Sequence, residues 1–472
     1  MEWETVIGLE VHVQLKTVSK MFCGCATTYG DAPNTNVCPV CLGLPGALPV
    51  PNAEAIRLGV RGALAIGCEI HQTSIFARKN YFYPDLPKGY QISQFDRPLA
   101  TAGAIVVDSP DRGPVTISIT RLHLEEDAGK SLHDRIPGMT AVDLNRAGTP
   151  LAEIVSGPDM HSPAEARAYL LTLRQMLIYA GVSECSMEQG SLRVDANLSV
   201  RRPGAPLGTK TEVKNMNSFA NVERALESER LRQIALLEAG GRVTQVTLTF
   251  NAATGDVKPL RSKEDSHDYR YFPDPDLPPL RLEDSWLAEQ RDTLPELPAA
   301  RTSRYEADFG LSGYDVRVLT QEPAVSDYFE AVVRAGVSPK TAANWVLGEV
   351  LSGFNQHGMF RVVPSRLAAL SALVDDGTLS LAAAKKVFLH LAESDDSPAE
   401  AATRLGLVQV RDTDALAGWV DAVIAAHPDE VARFRSGEAK LIGFFVGQVM
   451  KRSQGKADPK AIQPLLMGRL NG

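Results

Sequence analysis

Four cysteines near the start of the chain give the clearest chemical signal in the sequence. Cys23 and Cys25 form one close pair, Cys38 and Cys41 form a second, and a 12-residue loop separates the pairs. Four thiolates in two such pairs suit tetrahedral zinc, and a closed site of this kind leaves no position for a substrate. Four unrelated thiols are the alternative, and disulfides are disfavoured in a chain without an export signal. The spacing therefore predicts one structural zinc ion, Zn²⁺.

Polar faces of three strand-like segments form a second candidate site. Glu10 and His12 lie on the polar face of the first segment, Glu125 on that of the second and Asp195 on that of the third. Carboxylate oxygens and imidazole nitrogens bind cations, and an oxygen-rich set favours magnesium, Mg²⁺. If the three faces converge they form a site, and if they face water they are ordinary solvated strands. The sequence leaves both alternatives open.

The segment at residues 78–93 is a third candidate, because it interleaves cations, aromatic rings and turn formers without amphipathic period. Its cations could hold phosphate or a carboxylate, and its rings could stack on a base. A packed surface loop with tyrosines at its rim explains the same composition equally well. Long irregular loops are often functional. The segment His267–Asp274 raises the same possibility more weakly.

Three strands must position these residues. Apolar and polar residues alternate from Val6 to Leu15 and from Leu192 to Val200, which predicts strands with one buried face. Between Thr116 and Asp127 the alternation changes phase, which predicts a β-bulge near Thr120 or Arg121. Helical patterns lie between the strands, at Ala53–Ile66, Pro163–Ala180 and Val222–Ala239. This arrangement predicts the α+β class, built on a largely antiparallel sheet.

The length of 472 residues is too great for one hydrophobic core, so we expect two or three domains. Near residue 290 the composition changes from β-rich alternation to helical patterns rich in alanine and leucine. Proline-rich segments at Phe272–Leu280 and Leu294–Pro298 mark this boundary, because proline fixes φ and removes a backbone donor. The second part of the chain is therefore predicted to be all-α.

The composition also limits the classes of function. A formal charge of −8 argues against a protein that coats nucleic acid indiscriminately, although it allows a local basic patch. The acidic start and the lack of a long apolar run argue against a signal peptide or a membrane span. We therefore expect a soluble cytoplasmic protein without a membrane partner.

A basic patch is predicted at the end of the chain. From Val431 onward there are eight basic and two acidic residues, a net of +6 in a protein of negative total charge. Apolar residues between Leu441 and Val449 recur at helical spacing, which predicts a small bundle. The alternatives are a solvated basic helix pair and an electrostatic contact with the backbone of an RNA.

Several long and irregular motifs resemble those of the B subunits of tRNA-dependent amidotransferases. In chain order they are VIGLEVHVQL, FCGCATTYG, NVCPVCLGLPGALPVPN, ARKNYFYPDLPKGYQISQ, LHLEEDAG, DLNRAGTPLAEIV, RVDANLSVR, EVKNMNSF and RSKEDSHDYRYFPDPDLPPL. The C-terminal GFFVGQVMKRSQGKADPKAIQPLL resembles the YqeY-like tail of that family. The resemblance spans nearly the whole chain.

The resemblance implies a fold and a reaction. It implies a mixed cradle domain with the kinase and transamidase site at residues 1–292, a helical domain at 293–406 and a YqeY-like tRNA-binding tail at 407–472. ATP would activate the side-chain carboxylate of misacylated Glu-tRNA(Gln) or Asp-tRNA(Asn) as an acyl phosphate, and ammonia would displace the phosphate. An amidase subunit (A) and a small subunit (C) would complete a heterotrimer.

The resemblance also implies roles for individual residues. Magnesium would bind Glu10, His12 and Glu125, with Asp195 nearby, and these four residues would act in catalysis with Lys79 and Ser93. The pocket for ATP or the aminoacyl end would be lined by Lys79, Tyr83, Lys88 and Ser93, with Asn145, Arg146 and Glu153 as second-rank members. The tRNA contacts of the tail would be Lys440, Lys451, Arg452, Lys456 and Lys460. The segment 251–259 departs from the family pattern, at a surface hairpin without catalytic residues.

Two other functions compete with this interpretation. A non-catalytic tRNA-binding scaffold would need no carboxylates and histidine on facing strands. A stand-alone ATP-dependent ligase would need its own ammonia source, and no residue pattern here resembles a glutaminase nucleophile with its base. The sequence does not distinguish Glu-tRNA(Gln) from Asp-tRNA(Asn) as the substrate.

Overall fold

The computed structural model describes residues 3–260, 268–409, 412–453 and 455–471. Two compact units divide the chain, Met1–Ala300 and Arg301–Gly472. His267, the first residue of the weaker aromatic segment, lies outside the described residues. In the described ranges, no helix has both the length and the low polarity that crossing a bilayer requires.

A nine-stranded sheet organises the first unit, in the order β14-β13-β12-β11-β1-β10-β7-β6-β2. Neighbouring strands are antiparallel except for β12 and β13, which are parallel. This arrangement confirms the predicted α+β class with a largely antiparallel sheet. The strands of the described chain are β1 (Glu4–Gln14), β2 (Glu69–Ile70), β3 (Thr73–Ser74), β4 (Ala77–Asn80), β5 (Tyr90–Ser93), β6 (Ala100–Ser109), β7 (Gly113–Glu126), β8 (Lys130–Ile136), β9 (Met139–Asp143), β10 (Pro150–Ser156), β11 (Leu192–Arg201), β12 (Thr211–Lys214), β13 (Thr247–Phe250), β14 (Val257–Pro259), β15 (Phe272–Pro273) and β16 (Leu280–Arg281).

The central strand β1 shows how the sheet acquires one apolar and one polar face. Ile7, Leu9, Val11 and Val13 are almost completely buried, on the face against which helices pack. The intervening polar residues are only partly buried, on the opposite face. The helices of this unit are α1 (Ala53–Ala65), α2 (Pro163–Tyr179), α3 (Phe219–Glu238) and α4 (Asp284–Asp292). The predicted alternation therefore places the functional side chains away from the helices.

The predicted bulge in β7 is confirmed. Arg121 is paired with Val155 of β10, and Ile119 is paired with Ser156, so that Thr120 is the extra residue. The extra residue reverses the alternation, so that His123 and Glu125 come to the polar face.

Serines begin two of the helices that cover the apolar face. The hydroxyl of Ser162 accepts a hydrogen bond from the first turn of α2, and that of Ser218 accepts one from the first turn of α3. Such caps satisfy backbone donors that have no partner within the helix.

The second unit is all-helical in its described residues, as predicted. It contains two hydrophobic clusters, one formed by residues 305–402 and the other by residues 416–470. The second cluster lies within the residues of the predicted tail, and Phe445 and Val449 are fully buried in it. The α-helices are α5 (Pro298–Phe309), α6 (Gly313–Leu319), α7 (Pro323–Arg334), α8 (Pro339–Trp345), α9 (Leu351–His357), α10 (Pro364–Asp375), α11 (Leu381–Leu391), α12 (Pro398–Arg404), α13 (Thr413–Ala426), α14 (Pro428–Arg435), α15 (Ile442–Arg452) and α16 (Pro459–Asn471), with a π-helix at Val346–Val350 and a 3₁₀ turn at Ala439–Leu441.

Candidate active site

The candidate active site is built on the polar face of the sheet, where β11, β1, β10 and β7 lie side by side. His12 of β1 is paired with Arg193 of β11 and with Glu153 of β10, and Glu153 is paired with His123 of β7. Directly opposed residues of antiparallel strands present their side chains on the same face. The strand register therefore aligns these four side chains in one row across the sheet.

Glu125 lies on the same face two residues beyond His123 on β7, and it completes a cluster that suits a metal ion. Nε2 of His12 lies 3.7 Å from Oε1 of Glu125 and 3.4 Å from Oε2 of Glu153. Nε2 of His123 lies 3.8 Å from Glu125 and 3.4 Å from Glu153. The ligand atoms of His12, Glu125 and Glu153 all lie within 4.8 Å of one another, and both carboxylates are buried. One imidazole and two carboxylates suit a divalent cation that keeps open positions for water or substrate oxygen.

This cluster differs from the predicted magnesium set in one member. Glu10 lies one step further along β1, opposite Asp195, and its Oε1 accepts a hydrogen bond from Nδ2 of Asn197 at 3.1 Å. Glu153, predicted only as a second-rank member, occupies the position between the two histidines. The reason is topological, because β10 lies between β1 and β7 and Glu153 is paired with His12 on one side and His123 on the other.

Burial and negative charge dominate the electrostatics of the cluster. Burial opposes protonation of His12, but the hydrogen bond to Glu153 and the charge of Glu125 outweigh it and raise the pKa of His12. The same balance raises the pKa of His123 to about 9. For Glu10, burial and the neighbouring carboxylates raise the pKa. All three shifts have the sign expected of a site whose negative field attracts a cation.

Lys79 and Ser93, two predicted catalytic residues, line the same cleft. Nζ of Lys79 lies 5.0 Å from the ring centre of Tyr269 and 5.9 Å from that of Tyr81. Burial opposes the charge of Lys79, yet the charge of Glu125 more than compensates and raises the pKa of the lysine. The Ser93 hydroxyl donates a hydrogen bond to Glu125 at 3.4 Å. The structure therefore brings a cation and a positioning hydroxyl beside the cluster.

Aromatic rings form another wall of the cleft. Phe95 and Tyr271 stack with their ring centres 4.1 Å apart and their planes only 7° from parallel. Tyr269 is in edge contact with Tyr271 and with Tyr81. Tyr269 and Tyr271 come from the segment that the sequence indicated only weakly. A flat aromatic wall beside cations suits a planar, negatively charged substrate.

Asp195 reaches the cleft together with a lysine that was not among the predicted site residues. Nζ of Lys214 lies 2.8 Å from Asp195 and 3.1 Å from Glu212. Burial opposes the charge of Lys214, but these two carboxylates raise its pKa. Asp195 therefore orients Lys214 and does not join the metal cluster. The whole cleft has a volume of about 560 Å³.

Tyr83 and Lys88 do not line the cleft, in contrast to the prediction. Tyr83 is 56% exposed, and its ring contacts the outer edge of Tyr81. The ammonium group of Lys88 is buried in an ion pair with Glu126. Because Glu126 follows Glu125 in a strand, its side chain points to the opposite face, and Lys88 is held there with it.

Asn145 and Arg146 also lie outside the cleft, because their side chains form hydrogen bonds with the backbone of neighbouring segments. The side chain of Asn145 accepts a hydrogen bond from the backbone N–H of Asn36 at 2.9 Å and donates one to the carbonyl of Ala32 at 2.7 Å. Nε of Arg146 donates to the carbonyl of Ala128 at 2.9 Å. These contacts place Asn145 against the loop between the two cysteine pairs.

Several residues to which the sequence assigned no role are brought to the cleft by the pairing of the strands. His123 and Arg193 lie in the same row as His12, and Lys214 lies beside Asp195. Alternation along a single strand indicates which face of that strand each residue lies on, but it does not indicate which residues of other strands lie beside it. A register between strands, which the sequence alone does not provide, would have identified them.

The four predicted zinc ligands converge into a second cluster. The sulfur atoms of Cys23, Cys25, Cys38 and Cys41 all lie within 4.8 Å of one another. Those of Cys38 and Cys41 are 3.9 Å apart, close to the roughly 3.8 Å between sulfurs of a tetrahedral zinc site with bonds of about 2.3 Å. The donor set and its geometry therefore fit zinc.

One thiol of this cluster is poised for ionisation. Its hydrogen bond from Cys23 is the largest cause that lowers the pKa of Cys41 to about 4, with further contributions from the Cys38 backbone and the Lys20 charge. Lys20 is fully buried, with its Nζ 3.7 Å from the Cys41 sulfur and 2.6 Å from the Asn36 carbonyl. A buried cation beside the sulfurs would offset the excess negative charge of four thiolates around a divalent ion.

The predicted basic residues of the tail lie on its helices and turns. Within the described ranges, none of the five makes an ion pair with another residue, and all except the half-buried Lys456 are exposed. In contrast, Arg433 is paired with Glu438 and Arg469 with Asp421. The five unpaired cations are Lys440, Lys451, Arg452, Lys456 and Lys460.

Comparisons with known proteins agree with this architecture. The family model of the GatB/GatE catalytic domain matches residues 5–288, and the model of the GatB domain matches residues 327–470. A protein of Geobacter sulfurreducens is 50% identical over 480 residues, and one of Moorella thermoacetica is 51% identical over 479 residues, with 100% of both chains covered in each case. A protein of Nitrosococcus oceani is 50% identical over 477 residues, again with full coverage.

All three relatives are named as the B subunit of an aspartyl/glutamyl-tRNA(Asn/Gln) amidotransferase. Similarity at this level, over the whole length of both chains, extends across the cleft, the cysteine cluster and the helical tail. The chain belongs to the family of B subunits of aspartyl/glutamyl-tRNA amidotransferases, which are components of ligase-type enzymes.

Proposed function

We propose that the chain catalyses the ATP-dependent amidation of Glu-tRNA(Gln), Asp-tRNA(Asn) or both, through an acyl phosphate. The main support is the cluster of His12, Glu125 and Glu153 in a cleft that also contains two lysines and an aromatic wall. The family membership and the names of the relatives point to the same reaction.

The chemistry explains why such a cleft is needed. A carboxylate resists attack by ammonia because its leaving group would be oxide. Transfer of the γ-phosphoryl group of ATP to a carboxylate oxygen gives a carbonyl with phosphate as a good leaving group. Ammonia then forms the C–N bond, and the C–O bond to phosphate breaks. The protein must chiefly align the reactants and neutralise the phosphate charge.

The residues of the cleft suit these tasks. Lys79 and Lys214 would place two ammonium groups near the phosphates and the substrate carboxylate. Asp195 would orient Lys214, and Ser93 would orient Glu125. The stacked rings of Phe95 and Tyr271 would pack against the planar part of a substrate. Each role follows from a side chain that already has a fixed partner, so that little reorganisation would accompany the reaction.

His12, Glu125 and Glu153 would hold magnesium, and Glu10 lines the same cleft. The bound ion would neutralise charge on the phosphate oxygens. His123 would position both carboxylates through its contacts with them. Zinc at Cys23, Cys25, Cys38 and Cys41 would have a structural role, because four thiolates close its coordination shell.

We further propose that the chain acts with an amidase subunit and a small third subunit, and that ammonia comes from the amidase. The division into residues 1–292, 293–406 and 407–472 would separate the catalytic cradle, a helical domain and the tRNA-binding tail. The basic surface of the tail would contact the tRNA backbone electrostatically.

An assay with free ammonia tests this function directly. The purified chain, alone and with its partner subunits, would receive ATP, magnesium, Glu-tRNA(Gln) or Asp-tRNA(Asn), and ammonium chloride. We expect ATP hydrolysis and amide formation that need the tRNA but not glutamine. If every preparation that contains the chain fails to hydrolyse ATP while it still binds tRNA, the chain is a binding scaffold instead.

A further inference from the structure

A fully buried lysine links the cysteine cluster to residues 144–149, the connecting segment that leads into β10. The side chain of Lys20 has no exposed surface. Its ammonium group donates hydrogen bonds to the carbonyl of Asn36 at 2.6 Å, to the sulfur of Cys41 at 3.7 Å and to the carbonyl of Leu144 at 3.4 Å. An ammonium group has three N–H donors, so each of them has a partner here.

Charge compensation alone does not explain this arrangement. A cation that only balanced the charge of the thiolates would not need to be buried, and burial of an ammonium group costs free energy unless hydrogen bonds offset it. Two of the three bonds of Lys20 go to backbone carbonyls and not to sulfur. These carbonyls belong to the loop between the cysteine pairs and to the connecting segment. The ammonium group is therefore a cross-link between two segments that are distant in sequence.

Asparagine side chains join the same two segments. The side-chain oxygen of Asn34 accepts a hydrogen bond from the N–H of Leu144 at 2.8 Å. The side-chain oxygen of Asn145 accepts one from the N–H of Asn36 at 2.9 Å. Zinc at the four cysteines would fix the loop between the pairs, and these bonds would extend that order to the connecting segment.

The connecting segment in turn holds the end of β7. The N–H of Gly148 donates a hydrogen bond to the carbonyl of Asp127 at 2.8 Å, and the N–H of Asp127 donates one to the carbonyl of Thr149 at 2.8 Å. Gly148 has a φ of +87°, and a Cβ atom there would lie 3.4 Å from Cδ of Lys20 and 3.7 Å from Oε2 of Glu126. The lysine side chain therefore packs directly against the turn that is bonded to Asp127.

The end of β7 belongs to the candidate active site. Glu125 is a member of the metal cluster, and Asp127, two residues further along, lines the cleft. The carboxylate of Asp127 accepts hydrogen bonds from Nη2 of Arg193 at 2.7 Å and from Nε2 of Gln14 at 3.1 Å. A shift of the connecting segment would move the backbone of Asp127, and with it both carboxylates. Misplacement of a catalytic group by about 1 Å can lower a rate about 10²-fold.

We infer that Lys20 is a positioning residue of the candidate active site, which couples the order of the cysteine cluster to the placement of Glu125 and Asp127. The inference rests on the proposed function, because the placement of these carboxylates matters for a reaction in the cleft. It predicts lower turnover in a protein that is folded and loaded with zinc, whereas a purely structural lysine would affect stability alone.

Lys20→Met, in the complex with the partner subunits and with zinc in excess, tests this inference. Methionine has a similar volume but neither a charge nor an N–H donor. We expect kcat for amide formation from ammonium chloride to fall at least ~tenfold. The magnesium concentration that gives half the maximal rate should rise at least ~threefold, because Glu125 is displaced. A smaller folded fraction would lower the rate but leave that concentration unchanged. Lys20→Arg, which keeps the charge and the donors, should retain more of kcat.

Two controls and a milder variant accompany this substitution. Lys16→Met makes the same change at an exposed lysine, and Thr116→Leu enlarges an exposed position of β7 away from its end. Both should retain the wild-type kcat and magnesium dependence. Asn145→Ala removes a bond between the same two segments at a half-buried residue. It should act in the same direction as Lys20→Met with a smaller effect, and it replaces that variant if Lys20→Met does not fold.

Hydrogen exchange tests the link without an assay of amidation. In zinc-loaded Lys20→Met, the N–H groups of Asp127 and Gly148 should exchange faster than in the wild type, whereas that of Val194 in β11 should not change. If a folded variant with full zinc content has wild-type kcat and wild-type exchange at Asp127, the inference is wrong. If the wild-type complex does not amidate, the proposed function fails, and unchanged exchange at Asp127 would then exclude the link by itself.

Discussion

The two clusters that could hold metal ions are built in opposite ways. The four cysteines come from one short segment, residues 23–41, and a buried lysine and nearby backbone surround them. His12, Glu125 and Glu153 come from three strands that are distant in sequence, and they line an open cleft of about 560 Å³. The first arrangement closes a coordination shell and fixes a loop, whereas the second leaves positions for reactants.

The surrounding charges extend this contrast. Lys20 is the cation beside the cysteine cluster, and it is completely buried. In the cleft, Lys79 and Lys214 belong to a surface that a substrate can reach. The comparison predicts that substitutions in the cleft will remove activity without unfolding the protein. Substitutions in the cysteine cluster should instead act mainly by lowering the stability of the protein.

The largest effect is expected from His12→Ala. Loss of an inner ligand should lower amide formation with excess ammonia at least ~10³-fold, because charge neutralisation by a bound cation contributes several kcal/mol. Zinc content and the glutaminase activity of the partner should stay normal. Amide yield from aminoacyl-tRNA, with zinc measured on the same samples, provides the check. Thr116→Leu serves as a control, and near-normal transamidation by His12→Ala would exclude the assignment.

The contrast between the clusters also explains how far the sequence could predict them. The cysteine spacing is local, and it was sufficient to predict all four members that converge. For the cleft, alternation predicted that His12 and Glu125 each lie on the polar face of a strand, but only the order of the strands brings these faces together and places Glu153 between them. The prediction that Lys88 lines the cleft was wrong, because a pattern of cations and rings does not indicate which face of the sheet each side chain reaches.

The second prediction concerns Cys38→Ser combined with Cys41→Ser. Wild-type protein should contain about one zinc per chain, and the double variant should contain almost none. Since binding energy of a structural zinc is folding energy, the thermal midpoint of the first unit should fall by several degrees or more. Cys68→Ser, at an isolated buried cysteine, is the matched control. Full zinc content in the double variant would show that the cluster is not a zinc site.

A third prediction tests whether the tail, unlike the cleft, acts by electrostatic binding of tRNA. Removal of the residues after Val408 should weaken tRNA binding, most strongly at low salt, because about one condensed counterion is released per phosphate contact. The hydrophobic cluster of residues 305–402 lacks members from the removed part, so the rest of the unit should stay folded. Lys386→Gln, which changes an exposed cation outside the tail, should have little effect. Equal affinities of truncated and full-length protein at all salt concentrations would place tRNA recognition elsewhere.

The smallest effect is expected at Glu165, a buried carboxylate whose partners all come from the protein. It accepts hydrogen bonds from Arg112 at 2.6 and 2.8 Å, from the Ser109 hydroxyl at 2.8 Å and from the His161 N–H at 2.7 Å. Burial opposes its ionisation, but these contacts, led by Arg112, lower the pKa of Glu165 from 4.5 to about 2. Unlike Glu125 and Glu153, it needs no cation from outside the chain.

Glu165→Gln should therefore reduce the free energy of unfolding by about 2 kcal/mol near neutral pH and leave amide formation unchanged. The lowered pKa stabilises the folded protein above pH 4.5, and this contribution disappears as the pH falls toward 2. The difference in stability between wild type and variant should thus be largest above about pH 5 and shrink on acidification. Urea titrations between about pH 3 and 7 measure it. A difference in stability that stays constant over this range would mean that packing, and not charge, accounts for the role of Glu165. A loss of amide formation in Glu165→Gln would mean that Glu165, like Glu125 and Glu153, takes part in the reaction, and the proposed difference between these buried carboxylates would be wrong.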